Sequence, residues 1–548
     1  MKLLILLLVA TLVRCDRTVT TTNGPVKGIS LSPKKVEAFL GIPYAEPPVG
    51  PLRFAKPVPK SSWEETYDAS ELPPTCVQTL LGDLYFSPDP NGKMSEDCLY
   101  LNLWVPEGGS DPKPIMLFIH GGGFMTGATN MRIYNGANLA EHGDVIVATI
   151  NYRVGTLGFF SGFIENAAGN MGLYDQVMAI QWIKDNAKYF GGDPDNIVLF
   201  GESAGGFSVS LHLISPLSKG LFKRAILQSG TAINPLFSDH GGLEAIGRIV
   251  ANLLGCADEN DSLKKNPEAV VDCMKALPSE KFSEIDTVIL KNAGVQFPRI
   301  GDSFLPENVV DLFNNGDFKD TEILLGVTRD EGPLLFTLQV PDLLGLFGEK
   351  GETPVFNETS ARQYFHHVSR IVNGEVHNEI VDKYFDRVKK DPGYTYVKAT
   401  ADIIGDFIIT CGVVFQADYY SLRDNPVYFY LFDYRPDSTP LAEWMGVAHF
   451  DEMQYVFGNP VHGEFTEYEE EFSRDIMDMW VAFAKTGNPS IPGGVKWPRY
   501  TYQDPKYLVI SKRDRVAVKP DNYRCEPWRE LFQAVIDEDT LQRLKKKH

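Results

Sequence analysis

An α/β fold with a large, mostly parallel sheet flanked by helices is predicted by three features of the 548-residue sequence. Strand-like and helix-like segments alternate over residues 112–230, which is typical of parallel strands joined by crossover helices. A Gly-x-Ser-x-Gly motif lies between one such strand and the next helix. No Ser/Gly-rich linker, repeat or low-complexity tract divides the chain. We therefore predict one domain over residues 16–548, with helical insertions at 235–320 and 340–445 and an antiparallel meander at 18–54.

The Gly-x-Ser-x-Gly motif at residues 201–205 predicts a nucleophilic serine at Ser203. Residues 196–200 are an apolar run of strand character, and residues 207–214 have the pattern of a buried helix. A serine between such elements lies on a tight turn in which neighbouring side chains would collide, so glycine is needed on both sides. The turn raises the hydroxyl above the sheet, at a helix N-terminus that favours negative charge.

A second glycine motif predicts the groups that bind an oxyanion. Residues 120–124 read His-Gly-Gly-Gly-Phe and follow the apolar run 114–119. Acyl transfer builds negative charge on a carbonyl oxygen, and one preorganised donor is worth about 3–4 kcal/mol of the barrier. Glycine lets the backbone approach this oxygen closely. We assign the N–H groups of Gly122, Gly123 and Ala204 as the oxyanion hole.

A serine nucleophile needs a base and an orienting carboxylate, which follow it along the chain in the order Asp or Glu, then His. Among the ten histidines, His449 is favoured because it follows small residues at 446–448 and precedes a helix-like segment. The strand-like segment 321–326 is followed closely by Asp330 and Glu331. Both carboxylates qualify by position, and spacing alone does not choose between them.

Three further motifs support a family resemblance. Residues 96–106 read Glu-Asp-Cys-Leu-Tyr-Leu-Asn-Leu-Trp-Val-Pro, residues 169–176 read Gly-Asn-Met-Gly-Leu-Tyr-Asp-Gln, and residues 190–194 read Phe-Gly-Gly-Asp-Pro. With the serine motif, they make nearly the whole chain resemble the type-B carboxylesterase/cholinesterase family of α/β-hydrolases. The resemblance implies the α/β-hydrolase fold with helical insertions over the active site. It also implies that Glu331 is the acid and His449 the base.

Cysteine usage indicates an oxidising compartment. Of the seven cysteines, Cys15 belongs to a predicted signal peptide, and the remaining even number suits a disulfide framework. Sequence alone does not select the pairing. The family resemblance implies the pairs Cys76–Cys98, Cys256–Cys273 and Cys411–Cys525.

Other signals predict a secreted, extracellular protein. Residues 1–15 carry an apolar run of signal-peptide length, shorter than the roughly 20 residues that span a membrane. No later apolar run qualifies as a span. Residues 544–548 are neither a retention signal nor a lipid-anchor tail. Asn260 and Asn357 lie in Asn-x-Ser/Thr glycosylation motifs.

The charge and the motifs exclude several function classes. The formal net charge of −20 argues against nucleic-acid binding and suits a secreted protein that must stay in solution. Neither Cys-x-x-Cys nor His-Glu-x-x-His occurs, so we predict no metal and no cofactor. The expected partner is a small-molecule ester. The oligomeric state and the physiological substrate stay open.

Departures from the cholinesterase branch predict the kind of ester. Cholinesterases bind quaternary ammonium with a tryptophan in the loop closed by the first disulfide, and here that loop has none. Residues 334–335 are leucines where that branch has an aromatic pair, and residues 292–294 lack its acyl-pocket phenylalanines. We therefore predict a secreted serine carboxylesterase for lipophilic esters.

Two other functions are kept as alternatives. One is a cholinesterase-like choline ester hydrolase, and the other is a non-catalytic adhesion protein of the same family. The complete set of candidate catalytic residues argues against the second. Stoichiometric capture of an organophosphate at Ser203 would use the same site. Glu202 has two open readings: it stabilises a protonated His449, or it is an acid matched to the helix dipole.

Overall fold

The computed structural model of the chain describes residues 17–79, 88, 92–237, 240–258, 262–292, 296–339, 354–371, 378–437, 439–462, 465–519 and 524–546. The predicted signal peptide, Asn260 and Cys15 lie outside these residues. So do positions 293–294 and most of positions 80–91 in the loop between the first two cysteines.

The strands of the described residues are mostly short at the N-terminus and longer in the centre. They are β1 (Thr18–Thr20), β2 (Pro25–Lys27), β3 (Ile29–Ser30), β4 (Val36–Pro43), β5 (Tyr67–Asp68), β6 (Thr75–Cys76), β7 (Met94–Ser95), β8 (Tyr100–Pro106), β9 (Lys113–Ile119), β10 (Ile146–Ile150), β11 (Ser161–Ile164), β12 (Ala167–Ala168), β13 (Gly192–Glu202), β14 (Arg224–Gln228), β15 (Ile323–Thr328), β16 (Val427–Phe432), β17 (Lys506–Ile510) and β18 (Arg515–Val518).

The helices lie between the strands and in the two predicted insertions. They are α1 (Ala137–Gly143), α2 (Gly155–Phe159), α3 (Met171–Asn186), α4 (Ala204–Ile214), α5 (His240–Leu253), α6 (Ser262–Lys265), α7 (Pro267–Lys275), α8 (Glu280–Asn292), α9 (Val309–Asn315), α10 (Gly332–Gln339), α11 (Glu358–Ile371), α12 (Asn378–Lys390), α13 (Tyr396–Gly405), α14 (Cys411–Leu422), α15 (Met453–Val456), α16 (Glu467–Thr486) and α17 (Glu538–Lys546).

Within the described residues, the main sheet has eleven strands in the order β18-β17-β16-β15-β14-β13-β9-β10-β8-β4-β3. The neighbours from β17 to β10 all pair in parallel. The pairs at the two ends are antiparallel. The predicted mostly parallel sheet flanked by helices is therefore confirmed. The insertion at 340–445 also contains one strand of this sheet, β16.

The N-terminal strands divide between two sheets. β3 and β4 form the antiparallel edge of the main sheet, whereas β1 and β2 join β5 in a separate three-stranded sheet. The predicted meander over 18–54 is therefore only partly right. Alternating polarity indicates which face of a strand is buried, but it does not identify the partner, and here β5 supplies that partner from later in the chain.

Side-chain alternation in the central strands fills a separate core on each face of the sheet. In β9, Ile115 and Leu117 belong to one buried cluster, whereas Met116 and Phe118 belong to the other. Strands covered on both faces read as continuous apolar runs, as β9 does. Helix α4 adds side chains to the first cluster and α16 to the second. The central strands of the sheet are therefore covered on both faces.

Three disulfides tie segments of this architecture together. They join Cys76 to Cys98, Cys256 to Cys273, and Cys411 to Cys525. These are the pairs that the family resemblance implies. The third links residues 114 positions apart, so it closes by far the longest loop and restrains the unfolded chain most strongly.

Candidate active site

The predicted nucleophile turn is present at the carboxyl end of β13. This strand ends at Glu202, α4 begins at Ala204, and Ser203 between them has φ 56° and ψ −123°. Holding a non-glycine residue in such a backbone conformation costs about 1–3 kcal/mol. The strain is offset locally, since the Ser203 N–H donates to the Gln228 carbonyl at 2.9 Å.

Close approach of the neighbouring strand explains the two glycines beside the serine. A Cβ on Gly205 would overlap the carbonyl oxygen of Ile119, the last residue of β9. A Cβ on Gly201 would lie 2.5 Å from the carbonyl carbon of Gly205 and 2.9 Å from the same Ile119 oxygen. Because those atoms belong to backbone, they cannot move aside. Glycine is therefore a steric requirement at both positions.

The glycine loop after β9 lies directly against the serine turn. A Cβ on Gly121 would be 3.0 Å from the Ser203 Cβ. Gly122 and Gly123 have φ values of 106° and 63°, a region that favours glycine. Among the described residues, the N–H groups of Gly122 and Gly123 donate to no backbone or side-chain acceptor. They are therefore available to bind an oxyanion beside the serine.

His120 supports this loop as a neutral ring. It is buried and stacks on Tyr152 with 4.3 Å between ring centroids. Burial lowers the pKa of His120 to about 4, so the ring carries no charge at neutral pH. The Tyr152 hydroxyl donates to the His120 carbonyl at 2.8 Å. This pair holds the start of the glycine loop.

His449 and Glu331 meet through a short hydrogen bond. His449 Nδ1 lies 2.6 Å from Glu331 Oε2, and both side chains are buried. The other carboxylate oxygen, Oε1, accepts from Ser229 Oγ at 2.6 Å and from the Thr328 N–H at 2.7 Å. A carboxylate can only accept, so Nδ1 carries the proton and Nε2 is the basic nitrogen.

Asp330, the other carboxylate that spacing allowed, faces away from the histidine ring. Its Oδ2 accepts from the Val447 N–H at 2.8 Å, and its own N–H donates to the Val447 carbonyl at 2.9 Å. A Cβ on Gly446 would overlap the same Oδ2. Asp330 therefore joins the loop that carries Glu331 to the loop that carries His449.

A chain of ion pairs continues from Asp330 toward the C-terminus. Lys398 Nζ lies 2.7 Å from Asp330 Oδ1 and 2.6 Å from Asp402 Oδ1. Arg524 then approaches Asp402 at 3.8 Å and Asp406 at 3.0 Å. Burial alone would raise the pKa of Asp330, but the nearby Lys398 and Arg329 charges outweigh it and lower that pKa. Asp330 is therefore held ionised.

Glu202 contacts the opposite side of the histidine ring. Its Oε1 lies 3.1 Å from His449 Nε2, although the two groups lack the alignment of a hydrogen bond. Burial raises the pKa of Glu202 to about 8, despite the opposing His449 charge. Glu202 ends a strand and faces the imidazole, so the structure favours the reading in which it stabilises the protonated ring.

A third buried carboxylate, Glu452, lies three residues after His449, and its charge also acts on the ring. It accepts from Gln228 Nε2 at 3.1 Å, and burial together with the Glu331 charge raises its pKa to about 7. Burial lowers the pKa of His449, but the Glu202 and Glu331 charges and the Glu331 hydrogen bond outweigh it and raise that pKa to about 9. The carboxylates and the imidazole thus compete for protons near neutral pH.

Ser229, Gln228 and Glu452 are site residues that sequence reasoning missed. Gln228 is the last residue of β14 and Ser229 directly follows it, and the carboxyl ends of parallel strands are where sites assemble. That position is the signal that could have found Ser229. No comparable pattern marks Glu452, since its role depends on the turn between His449 and α15.

The fold and the turn at Ser203 define a serine hydrolase of the α/β-hydrolase class. The Carboxylesterase family model matches residues 15–528. Acetylcholinesterase-1 of Trittame loki is 37% identical over 531 residues, with 94% of each chain covered. Cholinesterase of Mus musculus is 37% identical over 548 residues, with 95% of this chain and 88% of that protein covered. Acetylcholinesterase of Bungarus fasciatus is 38% identical over 527 residues, with 92% and 84% covered.

The chain therefore belongs to the Carboxylesterase family, the type-B carboxylesterase/cholinesterase group, and it is a serine carboxylic ester hydrolase. Every helix in the described part of the chain is too short or too polar to cross a membrane. No cluster of three or more His, Cys, Asp or Glu side chains suited to a metal ion occurs in that part either.

Replacing each of the two adjacent carboxylates should separate their roles. We expect Glu331→Gln to lower kcat by about 10³–10⁴-fold, because the amide no longer fixes the basic tautomer of His449. Asp330→Asn should cost less than about tenfold, because the amide oxygen still accepts from the Val447 N–H. Steady-state kinetics on an aryl ester measures both. An equal loss in two variants of unchanged melting temperature would contradict the assignment.

The pH profile should report the charge of Glu202. A nearby carboxylate stabilises the imidazolium, so the rising limb of kcat/KM should have its midpoint above 6.5, the ordinary value for histidine. In Glu202→Gln this charge is gone, and the midpoint should move to lower pH. The measurement is kcat/KM from pH 5 to 10, for which Glu358→Gln on the surface is a matched control. A midpoint that stays fixed or rises would contradict this role.

Proposed function

We propose that this protein is a secreted serine carboxylesterase that hydrolyses lipophilic carboxylic esters through an acyl-enzyme on Ser203. The observation that carries the proposal is the imidazole of His449 held between Glu331 and Glu202, the residue that directly precedes the serine. A base in this position next to a strained serine turn and a glycine loop is the arrangement that acyl transfer requires.

The reaction proceeds in two halves. Ser203 Oγ attacks the ester carbonyl while His449 Nε2 takes its proton, and Glu331 stabilises the imidazolium. The oxyanion binds to the N–H groups of Gly122, Gly123 and Ala204. His449 then protonates the leaving alcohol. In the second half, His449 activates a water that attacks the acyl-enzyme and releases the acid. The cycle is complete with these side chains and water.

An aliphatic wall beside the base supports the preference for lipophilic esters. Leu334 and Ala448 belong to one buried cluster, and Ala448 directly precedes His449. The other buried members of this cluster are Leu441, Ala442 and Met445. The partly buried Leu338 and Trp444 pack against this cluster. An apolar wall of this kind gains free energy from apolar ester groups, at roughly 25 cal/mol per Å² of apolar surface buried.

Choline ester hydrolysis is the second candidate, because the relatives reported above are named as cholinesterases. Against it, the loop between Cys76 and Cys98 has no tryptophan to bind quaternary ammonium. A non-catalytic adhesion role is the least supported, because the chain keeps the serine, the histidine and the glutamate.

Several observations support an extracellular location. The three disulfides suit an oxidising compartment. Asn357 is exposed before α11, and its Oδ1 accepts from the Ser360 N–H, which leaves the amide nitrogen open to glycosylation. The Carboxylesterase family model matches residues 15–528 as one unit, which supports a single domain after a cleaved signal peptide.

A pair of substrates of equal shape tests the ester class. We expect kcat/KM for 3,3-dimethylbutyl acetate to equal or exceed that for acetylcholine, since the two differ in charge and not in size. Longer neutral esters should be better still. Ser203→Ala should lower turnover by about 10⁶-fold on every substrate. Faster hydrolysis of acetylcholine would make choline esters the substrate class, and an active Ser203→Ala would overturn the mechanism.

A further inference from the structure

A basic groove lies on the face of the main sheet edge that carries the β17–β18 hairpin. It has a volume of about 470 Å³ and opens between this hairpin and the segment that follows β16. We call it the hairpin groove, and it is lined by Asp433, Tyr434, Arg435, Ser511, Lys512, Arg513 and Arg515.

Cations outnumber carboxylates in the hairpin groove. Four of its residues are basic, and Asp433 is its one acidic lining residue. Asp433 is shared, since it lies 2.7 Å from Arg329 and 3.7 Å from Arg515. Within the described residues, Lys512 and Arg513 make no ion pair with a carboxylate, and both are exposed. The groove therefore has cationic groups left to bind an anionic partner.

In a second groove on the molecule, cations and carboxylates are equal in number. It is lined by three lysines and three carboxylates, with Lys184 lying 3.7 Å from Asp195. The lysines are Lys184, Lys223 and Lys319, and the acids are Asp195, Asp320 and Glu322. Of these two grooves in a chain of net charge −20, only the hairpin groove has more cations than carboxylates among its lining residues.

We propose that the hairpin groove binds a sulfated polysaccharide chain. The planar guanidinium of arginine matches the paired oxygens of sulfate as it does those of phosphate. Three of the four residues 512–515 are basic and line the groove, whereas Asp514 between them is not among its lining residues. Lys512 is held near the rings of Tyr434 and Tyr468, at 5.5 and 5.7 Å from their centroids. The groove thus presents a lysine held against two rings, together with exposed arginines, to an anionic chain.

The apolar side chains of the hairpin argue for a polysaccharide over an anionic membrane. Val516 and Val518 are 44% and 54% exposed. Side chains alternate between the two faces of a strand, so these valines lie on the opposite face of β18 from Arg515. Membrane binding is strongest when apolar groups and cations reach the surface together. Here they point in opposite directions.

Arg435 is unsuitable for mutagenesis because it also supports the catalytic loop. It donates to the Gly446 carbonyl and, at 2.6 Å, to the Leu441 carbonyl, just before His449. Lys512, Arg513 and Arg515 make no contact with the catalytic residues, so removing them should leave ester hydrolysis unchanged. The proposal does not depend on the proposed function.

Retention on immobilised heparin tests the proposal with a charge-matched control. We compare the full-length chain with the hairpin triple variant K512Q/R513Q/R515Q and the control triple variant K184Q/K223Q/K319Q. Each variant loses three positive charges, so the net charge moves from −20 to −23 in both. We expect the wild type and the control to be retained at about 0.15 M salt and the hairpin variant to flow through. Melting temperature and kcat/KM should stay unchanged in both variants.

Four outcomes would overturn the proposal. The first is a wild type that is not retained, and the second is equal loss of retention in both triple variants. The third is binding to phosphatidylserine vesicles that the hairpin variant abolishes while heparin is not bound, which would make the partner a membrane. Retention on desulfated heparin equal to that on heparin would exclude sulfate as the recognised group.

Discussion

The hydrogen bond between His449 Nδ1 and Glu331 Oε2 is the contact on which the rest of the site depends. It joins two loops that lie more than a hundred residues apart in the sequence. Several neighbouring hydrogen bonds hold these loops in position. Ser229 and the Thr328 N–H fix the carboxylate, whereas Asp330 fixes the backbone before the histidine. The parallel strands make this possible, because their carboxyl ends deliver the glycine loop, the serine and the acid to one edge of the sheet.

Burial gives the site its electrostatic character. Three glutamates surround one imidazole, and each of them is almost wholly removed from water. Burial of a carboxylate is costly and raises the pKa values of Glu202 and Glu452, whereas the Glu331 carboxylate accepts hydrogen bonds from Ser229 and the Thr328 N–H. The same charges that make the imidazolium easy to form also make the free base harder to regenerate. The balance between these effects sets the pH range in which a base of this kind can work.

Much of the site could be predicted from the sequence because its motifs encode steric requirements. The glycines beside Ser203 and in residues 121–123 are needed where backbones approach closely, and such needs are visible in the sequence alone. The sequence does not show which of Asp330 and Glu331 contacts His449. Both are carboxylates at adjacent positions, and only the folded structure shows which one reaches the ring. Local sequence patterns also did not predict that Ser229 binds Glu331 or that β2 pairs with β5. Both contacts involve segments that are distant in the chain.

The ion pairs that run from Asp330 to Arg524 support the loop that carries Glu331, the proposed catalytic acid, from near the C-terminus. Arg524 directly precedes Cys525, whose disulfide to Cys411 anchors it against α14. Truncation before residue 524 would remove Arg524, the last cation in this series of ion pairs. Reduction of the Cys411–Cys525 disulfide would remove the covalent anchor beside it. Loss of this disulfide would therefore weaken the ion pairs that support the loop around Glu331. Formation of this disulfide therefore contributes to the order of the loop around Glu331 as well as to the durability of the fold.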